Sequence, residues 1–135
     1  MSEVIKKTVL LIEDEVMSNV VNTIMLQRVP EIGQVHDVRN GKEAIRYLEQ
    51  ALQEGRPFPD LIYLDINMPE MNGFEFIEKL KVHPSIDYNK LNIVILTSSI
   101  HPTDMSHARE LGIVYFFVKP LSEYHIQQSL KLVHS

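Results

Sequence analysis

In Leu61-Ile62-Tyr63-Leu64-Asp65-Ile66-Asn67-Met68-Pro69 an unbroken apolar run ends on an acid and is closed by a proline. Four apolar residues without polar alternation describe a strand buried on both faces, and Pro69 denies the chain a regular continuation. Asp65 therefore stands on the rim of a sheet, where strand gives way to loop. Val9-Leu10-Leu11-Ile12 is a second run of this kind, followed directly by Glu13 and Asp14. Three acids at the ends of two central strands repel one another unless a cation or a proton lies between them. The arrangement points to phosphoryl-transfer or metal chemistry.

The rest of the chain repeats the pattern. Thr8–Ile12 reads as the first strand, and Met17, Val20, Val21, Ile24 and Met25 then recur at helical spacing as far as Val29-Pro30. Gln34–Val38 is a second strand whose polar alternation suits a place nearer an edge. Asn40 caps a helix bearing Ala44, Ile45, Leu48, Ala51 and Leu52, stopped by Gly55 and Pro57. After the third strand, Leu61–Leu64, Asn72-Gly73 opens a helix with Phe74, Ile77 and Leu80 inward. Ile93–Leu96 is the fourth strand, and Met105, Ala108 and Leu111 mark a helix closed by Gly112. Val114–Val118 is the fifth strand, and Ser122 caps a last helix with Ile126, Leu130 and Val133 inward. Strand and helix in alternation imply an α/β fold: parallel strands, right-handed crossovers and helices on both faces.

Composition narrows the function. At 135 residues the chain has the length of one domain, 1–135; a single helix fits after Pro120, so no output domain is expected. A net charge of −5 argues against a nucleic-acid partner. With no cysteine, disulfides and zinc–thiolate sites are excluded. Met1–Lys7 lacks a signal peptide's apolar segment and no run is long enough to span a membrane, so the expected location is the cytoplasm. The six histidines show no ligand spacing and read as incidental. Met68, Met71 and Met105 read as packing residues.

In open sheets of this kind, ligands bind beyond the carboxyl ends of the strands. Glu13, Asp14, Asp65, Thr97, Ser98 and Lys119 all fall at that edge. Asp14 and Asp65 are hard oxygen donors suited to Mg2+, with Mn2+ accepting the same set, and the carbonyl of Asn67 is a third ligand. Lys119 supplies an ammonium and Thr97 a hydroxyl for a phosphoryl oxygen. These are the parts that phosphoryl transfer to an aspartate needs. No glycine-rich nucleotide loop is present, which argues against ATP as direct donor. Taken singly, each residue has a bland reading: Glu13 and Asp14 as helix N-terminal charges, Asp65 as a turn former, Thr97 as a cap, Lys119 as a solvated strand end. Together those readings must all fail at one rim.

The segments Val9–Glu15, Asp60–Gly73, Val94–Ser99 and Phe116–Pro120 are similar to the receiver domains of two-component response regulators, and most to the single-domain chemotaxis type. The resemblance implies a flavodoxin-like, doubly wound sheet of order 2-1-3-4-5 with five helices. It implies that Asp65 is phosphorylated by a histidine kinase or histidine phosphotransfer protein. Glu13 (through water), Asp14, Asp65 and the Asn67 carbonyl would hold the metal, and Thr97 and Lys119 would meet the phosphoryl group. Phe116 takes the place of the switch aromatic, and the Lys119–Pro120 bond is expected to be cis. Output would pass through the last two helices and the fifth strand to an unidentified protein target. Two departures stand out: Glu13 occupies a position where many members have aspartate, and Phe116 lacks the hydroxyl of the usual tyrosine.

Two further functions compete with this switch. An aspartyl-nucleophile phosphatase would want an acid two residues beyond Asp65, where Asn67 stands. A phosphate-independent interaction domain would have no use for the full set of acids, hydroxyl and lysine.

Overall fold

The computed structural model describes residues 5–133; Met1–Val4, part of the segment read above for a leader, lies outside them. Five parallel strands form one sheet of order β2-β1-β3-β4-β5. In chain order the elements are β1 (Lys7–Ile12), α1 (Val16–Gln27), β2 (Ile32–Val38), α2 (Gly41–Gln53), β3 (Leu61–Leu64) and α3 (Gly73–Lys81). A short 3-10 turn (Tyr88–Lys90), β4 (Ile93–Thr97), α4 (Pro102–Glu110), β5 (Phe116–Val118) and α5 (Glu123–Leu130) complete them. This is the doubly wound flavodoxin-like arrangement, and polar β2 is indeed an edge strand.

Side chains alternate across each strand, so the apolar runs feed two cores. Leu10, Ile12, Ile62 and Leu64 pack with Ala44 and Leu48 of α2, Phe76, Ile77 and Leu80 of α3, and Ala108 of α4. Val9, Leu11, Leu61 and Tyr63 pack on the other face with Leu26 of α1 and Leu121 and Ile126 at α5. Val9, Leu10, Leu61, Ile62 and Leu64 have no solvent exposure at all.

Local chemistry sets the helix starts. The Asn40 side chain accepts from the Glu43 N–H at 2.9 Å. Asn72 and Glu75 form a reciprocal capping box at 2.9 and 3.0 Å. Gly55 ends α2 at φ +68°, where a side chain would be strained. Gly73 serves close approach instead: a Cβ there would lie 2.7 Å from Ile66 Cα and 2.9 Å from the Asp65 carbonyl oxygen. The first turn of α3 is thereby seated directly against the Asp65 loop.

Several helix faces differ from their apolar patterns. In α1 the buried residues are Asn19, Asn22 and Leu26, while Met17, Val20, Val21 and Ile24 are exposed. In α3 the fully buried aromatic is Phe76, because Phe74 turns toward α4 and stacks on His107 at 4.3 Å. Among the described residues of α4 only Ala108 is buried. The last strand covers only Phe116–Val118. Ser122 caps α5 as expected, with His125 closing the box.

Candidate functional site

Strand register assembles the site. Ile12 pairs with Leu64, so the residues that follow, Glu13 and Asp65, leave the sheet side by side. Leu64 pairs with Ile95, and Thr97 with Val118, which brings Thr97 and Lys119 to the same edge. Backbone bonds hold the corner: Asp65 N–H donates to the Ile12 carbonyl at 3.1 Å, and Lys119 N–H to the Thr97 carbonyl at 2.7 Å. The Lys119–Pro120 peptide is cis.

Glu13 and Asp65 are each 4% exposed, whereas Asp14 faces solvent. Carboxylate oxygens of all three lie within 4.8 Å of one another. The Lys119 ammonium lies between the two buried acids, donating to Asp65 Oδ2 at 2.9 Å and pairing with Glu13 Oε1. Burial pushes the Glu13 carboxyl up to about 7, with Asp65 adding to the rise and Lys119 opposing it. Burial works against the charge on Lys119, but the carboxylates of Asp65 and Glu13 outweigh it and hold its pKa above the ordinary value. Two buried acids and one exposed acid against one ammonium leave excess negative charge, and three hard oxygen donors in such a corner suit a small divalent cation.

Thr97 is wholly buried at the end of β4. Its hydroxyl oxygen accepts from the Asn67 side-chain amide at 2.8 Å, while the Asn67 backbone N–H donates to Asp65 Oδ1 at 2.9 Å. Phe116 is half-buried and, with Met105 and Ala108, lines a cleft of about 190 Å3 between α4 and β5.

Residues 9–131 match the sequence model of the family described as the response regulator receiver domain. The chain belongs to that family. Among solved structures, the receiver domain is similar to a two-component response regulator from Cytophaga hutchinsonii, with 32% identity and a TM-score of 0.86 over 93% of this chain and 96% of that one. It is also similar to the Mn2+-bound form of response regulator Rcp1, with 26% identity and a TM-score of 0.72 over 93% and 91% of the two chains. A probable cyclic di-GMP phosphodiesterase of Vibrio cholerae serotype O1 is 32% identical over 89% of this chain, which spans 25% of that protein's length.

Of the singled-out rim residues of this receiver domain, Glu13, Asp14, Asp65, Asn67, Thr97 and Lys119 meet in one corner, while Ser98 is exposed and lines the neighbouring groove beside Lys119. Sequence reasoning missed the Asn67 amide, having valued only its carbonyl. It also missed two buried asparagines of α1. Asn19 Nδ2 donates to the Glu13 carbonyl at 3.1 Å, and Asn22 Oδ1 accepts from Leu121 N–H at 3.1 Å. Together they tie α1 to two of the rim loops. Their signal is spacing: two neutral amides three residues apart on a helix with no charged residue. Nor are the histidines all incidental, since His83 pairs with Glu49 at 2.9 Å and His125 both caps α5 and stacks on Phe117 at 4.3 Å. Among the described residues, no helix is long and apolar enough to cross a membrane.

Proposed function

We propose that this receiver domain is a cytoplasmic switch that accepts a phosphoryl group on Asp65 from a histidine kinase or phosphotransfer protein and signals by protein contact. One observation carries the reading: Asp65 is a nearly buried carboxylate with an ammonium on one oxygen, two more acids within 4.8 Å, and its loop bonded to the Thr97 hydroxyl. In the transfer step an Asp65 oxygen attacks phosphorus as the donor's imidazole nitrogen–phosphorus bond breaks, leaving an acyl phosphate and a free histidine. Loss of the group is a separate hydrolysis: water attacks phosphorus, the Asp65 oxygen–phosphorus bond breaks, and inorganic phosphate leaves as the carboxylate is restored.

Asp14, Asp65, the Asn67 carbonyl and, through water, Glu13 would hold Mg2+ or Mn2+, which supplies charge neutralisation for the phosphoryl oxygens. Lys119 offers a second positive charge to those oxygens, and Thr97 a hydroxyl donor. Drawing Thr97 toward the phosphoryl group would open space beside β4 for the Phe116 ring, shifting Ser98–Pro102 and α4. Output through α4, β5 and α5 follows from that movement.

The donor protein is best accommodated along α1. Met17, Ser18, Val21 and Asn22 line a groove of about 400 Å3 that runs on to Ser98 and Lys119. Any partner handing phosphate to Asp65 passes over this rim. The phosphatase reading is weaker, because Asn67 spends its amide on Thr97 and offers no proton.

Asp65→Asn replaces the nucleophile with an amide and is expected to abolish the mass gain of one phosphoryl group on incubation with acetyl phosphate and Mg2+. The same gain in the variant, read by intact-protein mass spectrometry, would reject Asp65 as the acceptor.

A further inference from the structure

Asn67 makes two bonds that the transfer chemistry does not by itself require of a loop residue. Its backbone N–H is committed to the acceptor carboxylate, and its side chain reaches from the β3–α3 loop to the Thr97 hydroxyl on β4. Thr97 is buried, and among the described residues Asn67 is the one side chain bonded to its oxygen. A hydroxyl has one proton to give and two lone pairs to receive. An amide donating into one lone pair leaves the proton as the group still to be used, and restricts the directions in which it can point.

We infer that the Asn67 side-chain amide is a positioning residue: it holds Thr97 as an acceptor on the loop side, so that the hydroxyl proton is directed to the group carried by Asp65. This rests on the reading of Asp65 as phosphoacceptor. One residue thereby fixes both partners of the incoming phosphoryl group, Asp65 through its main chain and Thr97 through its side chain. The bond needs nothing from the Asn67 carbonyl, which stays available to a cation.

The separation of main chain from side chain makes the inference testable. Asn67→Ala keeps the N–H and the carbonyl and removes only the amide. Loss of one such hydrogen bond is expected to slow phosphorylation by acetyl phosphate roughly fivefold. The same substitution in a Thr97→Ser background, where a hydroxyl remains, is expected to slow it by a similar factor. In a Thr97→Val background, which removes the hydroxyl at nearly constant shape, its effect should fall below about 1.5-fold, the mark of a direct pair. Thr97→Ala serves in place of Thr97→Val if the valine protein does not fold. A second readout uses metal-free, unphosphorylated protein: the Asn67 side-chain amide resonances are expected to move in Thr97→Val and to stay near their wild-type positions in Thr97→Ser. Equal slowing by Asn67→Ala with and without the hydroxyl, or unmoved amide resonances in Thr97→Val, would overturn the positioning role. Failure of the wild-type protein to gain phosphate would instead sink the phosphoacceptor reading.

Discussion

Glu13 and Asp14 are neighbours in the chain yet meet different surroundings. Glu13 is buried against Lys119 and spends its second oxygen on the Glu15 N–H at 3.2 Å, whereas Asp14 is exposed. An acid already paired with an ammonium has less to offer a cation than a free one. Asp14→Ala is therefore expected to weaken Mg2+ binding more than Glu13→Ala, as read by titration of the unphosphorylated protein. The reverse order would assign Glu13 the direct contact. The acids, Thr97 and Lys119 were legible in the sequence because each directly follows or ends an apolar run, and a run's end marks the sheet edge. The Asn67–Thr97 bond was not, since it joins residues thirty apart through a side-chain direction that no spacing encodes.

Helix existence was legible from apolar recurrence and caps, but not always the buried face. Met17, Val20, Val21 and Ile24 recur as a core stripe would, and α1 instead turns Asn19 and Asn22 inward to satisfy loop backbone groups. A buried amide with a partner competes successfully with a modest apolar face, and periodicity alone cannot see the partner. The start of α5 is a second case. His125 Nδ1 accepts from the Ser122 N–H at 3.3 Å, and burial lowers its pKa below the usual histidine value. Folding thus favours the neutral ring, so the stability it contributes is present above the unfolded pKa of about 6.5 and is lost as pH falls through the lower folded value. Protonation also removes the acceptor that closes the cap. His125→Gln keeps a regular capping box without a titrating group. Thermal melts at successive pH values are expected to show the wild-type protein losing more stability than this variant between pH 7 and 5. Parallel profiles would remove His125 from the cap's energetics.

The molecule as a whole places its chemistry at one end of the sheet and leaves α1 along one flank as an exposed apolar surface. Parallel strands with helices on both faces follow from strand–helix alternation and two-faced burial, whereas the order 2-1-3-4-5 was anticipated from the resemblance to receiver domains; the chain's charge and composition say nothing about which flank receives a partner. If the α1 groove seats the donor, Val21→Lys should lower phosphorylation by a histidine phosphotransfer protein at least tenfold relative to phosphorylation by acetyl phosphate, which needs no docking. A constant ratio of the two rates would move the docking surface elsewhere. Val16–Gln27 contains no lysine, arginine, aspartate or glutamate. The helix itself adds no charge to the encounter, so any long-range steering toward this groove comes from Glu15 and Lys119 on its lining, the acids of the adjoining rim and the chain's net charge of −5. Steering would then weaken with added salt, while choice among donors of like charge would be made after collision, in how long each stays.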